Sequence, residues 1–202
     1  MKNHHAHIPR RVAVLGTACA LLWPSGCAWT VKPPPSPQEP VTVWVTEYGR
    51  HSRVALPSGR STFLEYGFGE WNFYAREQRG FLSTLRAGAG LGSGAFSRRE
   101  LVPAPDGTLG PPQTGGTRSA SLQAEREAAT RLRDRLEARW AANQPRVIVR
   151  SADGVPVSSD PQRYHLFANS NHAAADLLRE LGCRVSGFPI LSNFRVLSPE
   201  ER

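Results

Sequence analysis

Residues 41–74 read VTVWVTEYGRHSRVALPSGRSTFLEYGFGEWNFY, and this stretch decides the class of fold. Val41–Thr46 is apolar and β-branched, Arg53–Leu56 continues in the same style, and Ser61–Tyr66 makes a third run; each reads as a strand. Gly49 and the triplet Pro57-Ser58-Gly59 punctuate them. Gly67 and Gly69 then break the third run ahead of an aromatic segment, Trp71–Tyr74.

Downstream, Gly88, Gly90, Gly92 and Gly94 read as a flexible loop, and the Pro- and Gly-rich residues 103–116 as a surface loop. The spacing predicts a long helix over Ser119–Asn143. Leu122, Ala129, Leu132, Leu136 and Trp140 form its apolar stripe, and Glu127 and Arg131 stand in the favourable i, i+4 order on its polar side. Asn143 and Pro145 end it. Val147–Val149 and Tyr164–Phe167 read as strands on either side of an Asp153-Gly154 turn. A second helix runs from Asn169 or Ser170 to Leu181, with Gly182 as its C-terminal cap. Cys183–Val185 and Phe194–Leu197 supply the last strands. Strands and helices alternate irregularly, so the expected class is α+β, a mostly antiparallel sheet packed against two main helices.

Upstream, residues 1–11 are polar and basic, and Val12–Trp23 is a short apolar run. Ser25-Gly26-Cys27 closes it with small residues. This is the pattern of a secretory signal, and it is shorter than the ~20 residues a membrane-spanning helix requires. The ending resembles a bacterial lipobox, in which the cysteine is acylated and becomes the new N-terminus; Pro24 stands where an aliphatic residue is usual. Residues 28–40 carry five prolines and read as an extended, stiff spacer. The expected organisation is therefore a signal over 1–27, a linker over 28–40 and one domain over 41–202. That implies a bacterial envelope protein on the periplasmic side, membrane-anchored through Cys27 or secreted.

The 202-residue chain carries a formal charge of +8. All but two of its basic residues are Arg, scattered and interleaved with acids, with no basic stripe or aromatic platform, which argues against a nucleic-acid partner. Loss of Lys2, Arg10 and Arg11 with the signal lowers the charge to +5, and His4, His5 and His7 go with them. His51, His165 and His172 remain, in no metal-ligand spacing, so neither metal nor cofactor is expected. A formal Gly-x-Gly-x-x-Ala match at Gly90, Gly92 and Ala95 lacks the strand-to-helix setting of a dinucleotide site. Cys183, after Gly182, suits a small buried hydrophobe.

Three residues could carry chemistry. His51 opens a strand just after Gly49, where an imidazole could face a cleft. Ser170 sits at a helix N-terminus, where free backbone N–H groups could cradle an oxyanion. Glu65, one strand on, could orient the imidazole. Together they would be nucleophile, base and orienter. Asn169 and Ser170 are equally the residues favoured to cap a helix, which alone accounts for them.

Residues 43–57, then Phe63-Leu64-Glu65-Tyr66-Gly67-Phe68-Gly69-Glu70 with Phe73-Tyr74, resemble a family of uncharacterised bacterial envelope proteins. That family has an H-G-W-H-T-G-L-like strand, an L-E-F-G-W-G-D-x-x-F-Y segment and an N-x-C-N-x-W helix start; the last is only partly matched, in the region that here reads Asn169-Ser170-Asn171-His172. The architecture is similar to a circularly permuted papain-like (NlpC-type) fold. The resemblance implies His51 as base and position 170 as nucleophile, but Ser170 stands where the family has Cys. A serine hydroxyl is far less acidic than a thiol, whose pKa is about 8.5, and it needs a well-placed base. Two functions follow. One is a binding module, an aromatic cleft of Tyr48, Tyr66, Phe68, Trp71 and Tyr74 with Asn171 around a degenerate His51/Ser170 pair, its ligand a cell-wall peptide, a lipid or an envelope protein. The other is a Ser170-dependent amidase, esterase or acyltransferase.

Overall fold

The computed structural model of the chain describes residues 29–76, 89–90, 92–101, 118–144, 147–149, 154–198 and 201. The signal read over 1–27, with Cys27, and the loop read over 103–116 lie outside the described residues. Among the described residues, ten strands and three helices follow in chain order: β1 Trp29–Lys32, β2 Pro40–Tyr48, β3 His51–Pro57, β4 Phe63–Glu70, α1 Trp71–Tyr74, β5 Gly92–Leu101, β6 Arg118–Glu125, α2 Arg126–Asn143, β7 Val147–Val149, β8 Pro156–Tyr164, α3 Ser170–Glu180, β9 Arg184–Ser186 and β10 Phe194–Val196.

The architecture is α+β. A seven-stranded sheet runs β6-β2-β3-β4-β5-β8-β7, every pairing in it antiparallel. Val45 stands opposite Val54 in the β2–β3 register, so Val43, Val45, Val54 and Leu56 share one face with Tyr66, Phe96 and Leu122. The apolar stripe of α2 (Ala129, Leu132, Leu136, Trp140) and the inner side of α3 (Ala174, Ala175, Leu178) cover that face. The other face carries a smaller cluster of Tyr74, Ala75, Ala95 and Val157, with Trp71 against it. A second sheet, β10-β1-β9, joins the start of the described chain to its end, β1 lying parallel to β10.

Three expectations change. Within the segment read as a linker, residues 29–40 are not a free spacer. Trp29 and Val31 alternate inward and are fully buried, Trp29 tilted against Phe194 at 5.4 Å. The prolines follow this strand, and Glu125 holds the segment by accepting from the Gln38 and Glu39 amides at 2.8 and 3.1 Å. Composition misled because two apolar residues at period two outweigh a run of prolines when a sheet edge is free to take them.

The long helix begins at Arg126, not Ser119. Residues 118–125 pair with β2 over their whole length, burying Leu122 and Ala124 at period two before the helical period takes over. Likewise Gly92 and Gly94 belong to a central strand. A side chain at Gly94 would collide with the Gln162 carbonyl and the Phe68 ring, so those glycines permit close packing beside the bulge opposite Asp160–Arg163. The end of α3 is as read: Gly182, at φ +83°, donates to Arg179 O (2.9 Å) and Cys183 N to Leu178 O (3.0 Å) in a Schellman arrangement.

Candidate active site

Two chain reversals bring the site together. Gly49, at φ +69°, and Arg50 form the tight turn between β2 and β3, which pairs Tyr48 with His51 and sets His51 at the head of β3. At the other side, the Asn169 side chain accepts from the Asn171 and His172 amides at 2.9 and 3.0 Å, capping α3 and setting Ser170 as its first residue. Asn171 then ties the helix start to the turn, donating to Ile190 O at 3.0 Å and Arg50 O at 3.4 Å. The two heads meet: His51 Nδ1 lies 3.0 Å from Ser170 Oγ. With Nδ1 unprotonated, the hydroxyl donates to the imidazole, the alignment a general base requires.

Phe73 and Tyr74 set their ring edges to His51 at 5.9 and 5.5 Å. A cavity of about 640 Å³ opens beside the imidazole, walled by Phe73, Tyr164, Leu166, Ile190 and Leu191, with Glu47, Glu70, Arg50 and Asn169 supplying polar edges. Ser170 is 2% exposed and faces the narrow space under α3 beside Ser52 and Ala174 instead. Asn171 Oδ1 is buried beside it without a hydrogen-bond partner. Burial holds the His172 imidazole below its ordinary range and raises the Tyr164 phenol to about 12, the nearby Glu70 adding to the latter.

Glu65 has a different place from the one expected. It is 1% exposed, and its oxygens take Tyr48 Oη at 2.7 Å, Arg99 Nε at 2.7 Å and Arg53 at 3.3 Å. Its hydrogen bonds therefore build a buried charged cluster four pairs along β3 from His51, rather than orienting the imidazole. Burial, then the Glu65 charge, pushes the Tyr48 phenol far above its ordinary value.

The predicted aromatic cleft is also regrouped. Tyr66 is core, stacked on Phe96 and donating to Glu137. Trp71 packs on the small rear cluster and Phe68 tilts against Tyr164, while Tyr74 reaches His51 with its ring and Ser97 with its hydroxyl. Phe73, Leu166, Ile190 and Leu191 were the residues missed. For Ile190 and Leu191 the signal was an apolar pair inside Gly/Pro/Ser-rich loop sequence, GFPILSN at 187–193, which no strand or helix reading used; Phe73 lay in the aromatic segment and Leu166 in a run read as a strand.

Cys183 is buried, and desolvation pushes its thiol up to about 12, which leaves it inert as a nucleophile. Among the described residues, no group of three His, Cys, Asp or Glu side chains is placed to hold a metal, and no helix is long and apolar enough to cross a membrane. Comparison with protein-family models, curated proteins and solved structures returns no match.

Proposed function

We propose that the chain is an exported envelope protein, anchored by a lipid on Cys27, whose cavity is a ligand-binding cleft of permuted papain-like type with His51 at its inner end and Ser170 behind it. The observation that carries the binding reading is the division of that pair. The cavity of about 640 Å³ ends on His51, whereas Ser170 is 2% exposed behind it. Two further features favour holding a ligand over cleaving one. The Asn171 and His172 amides, which could otherwise receive an oxyanion, are taken by the Asn169 side chain. The carboxylate expected behind the imidazole is bound into the Arg53–Arg99–Tyr48 cluster.

The 3.0 Å bond between His51 and Ser170 favours a second reading, serine-dependent hydrolysis or acyl transfer. His51 would take the Oγ proton as Oγ attacks an ester or amide carbonyl. The Ser170 amide, the first of the helix and without an intrahelical acceptor, would stabilise the oxyanion. His51 would then return the proton to the leaving group, and water would release the acyl group by the reverse sequence.

One pair of measurements separates the two. In the binding reading, an amphipathic fluorescent probe such as anilinonaphthalene sulfonate enters the cavity, is repelled by Leu191→Glu, and a fluorophosphonate leaves the protein unlabelled. Labelling of wild type and not of Ser170→Ala moves the assignment to the hydrolase. The anchor has its own test: metabolic labelling with a radioactive fatty acid must be lost in Cys27→Ser.

A further inference from the structure

Among the described residues the large exposed apolar side chains are Ile148, Leu166, Phe167, Phe188 and Leu191, and all but Ile148 crowd one rim. Phe167 and Phe188 meet edge to face at 6.4 Å and are 62% and 60% exposed. Leu166 and Leu191 line the cavity mouth itself. The two loops that carry them are stitched together, because Asn169 Nδ2 donates to both Leu166 O (3.0 Å) and Ile190 O (3.4 Å). Apolar residues held out on fixed loops around a cavity mouth mark a contact surface.

The chain itself indicates what covers it. β1 enters the fold at this rim: Trp29 Nε1 donates to Leu191 O at 3.0 Å and the Trp29 amide to Asn193 O at 3.2 Å. Cys27 lies two residues before Trp29, a reach of at most ~7 Å. The prolines that could have served as a spacer come after β1, on the folded side of the anchor. Arg50 at the same mouth is exposed, whereas the Glu70 carboxylate there is buried and Glu47 faces Arg118 at 3.9 Å.

We infer that the cavity mouth is a membrane-docking face. Leu166, Phe167, Phe188 and Leu191 sit in the headgroup–acyl boundary of the bilayer that holds the Cys27 lipid, so that the cleft takes an amphiphile with an acyl chain directly from that bilayer. The inference rests on the anchored-cleft reading above, since Cys27 supplies the tether.

The test uses the full chain in phosphatidylethanolamine/phosphatidylglycerol vesicles containing lipids with a nitroxide near the top of the acyl chain. A bimane reporter is placed at Phe188→Cys or, as the control, at Arg60→Cys, with an identically treated parent subtracted. Arg60 lies in the turn after β3, at the end of that strand remote from His51. Contact within the boundary layer predicts quenching at position 188 roughly twofold or more above that at position 60. Equal quenching at the two sites overturns docking while leaving the anchor standing. Failure of the parent to partition with vesicles overturns docking and the anchor together. Phe167→Ser checks the contact independently by lowering quenching at position 188.

Discussion

Replacing Trp29 with alanine measures whether residues ahead of Val41 belong to the folded domain. Trp29 is fully buried, its ring against Phe194 at 5.4 Å. Burying an aromatic side chain removes about 150–250 Å² from water, or ~4–6 kcal/mol at the usual area coefficient. That is an upper bound, because the unfolded chain already hides part of this surface. The indole N–H also donates to Leu191 O. Leu191 lies at the surface, so water entering the vacated space can take the place of the lost donor. The expected loss is therefore the ordinary cavity cost of about 3–5 kcal/mol. For a domain of this size that lowers Tm by roughly 6–20 °C. Urea unfolding followed by circular dichroism gives the free energy, and thermal scans give the Tm. A loss below about 1 kcal/mol would mean that β1 is only laid on the surface, and the assignment of Trp29 and Val31 to the core would be wrong.

Arg139 holds Asp160 through two bonds of 2.7 Å, and the Asp160 side chain is completely buried. Arg139→Ala leaves that carboxylate without its cation and is expected to cost about 3–5 kcal/mol, measured by the same urea transitions; a change under about 1 kcal/mol would show that the charge finds other solvation. Alkaline stability follows from the raised thiol and phenol. The unfolded chain releases the Cys183 proton near 9 and the Tyr164 proton near 10, while the folded chain holds both to about 12. The unfolded state thus binds fewer protons across this window, and stability must fall as pH rises from about 9 to 12. A flat unfolding free energy over that range would refute it. For the same reason native Cys183 should resist a disulfide reagent at pH 8 and react fully in denaturant.

The sequence carried the parts of this fold that obey a single local period. The stripe from Ala129 to Trp140 carries the helical period within one segment, and Gly182 ends α3 because the left-handed position after Leu181 favours glycine. His51 and Ser170 were legible as heads of elements for the same reason, one following a turn glycine and the other an Asn cap. What was not legible depends on partners far along the chain. Residues 118–125 become a strand because β2 offers an edge, and Trp29–Lys32 because β9 and β10 do. Glu65 looked available to His51 until Arg53 and Arg99 were brought beside it by β3 and β5, which no spacing along the chain reveals. Leu166, Ile190 and Leu191 escaped notice as cavity walls because they come from loops, whose apolar residues follow no period at all.

The parallel pairing of β1 with β10 has a consequence for biosynthesis. β1 finds its partners only when β9 and β10 have been made, so a nascent chain has no way to seat Trp29 before Phe194 has emerged. Until then the small sheet is open on both sides of β1, and its closure couples the two ends of the described fold.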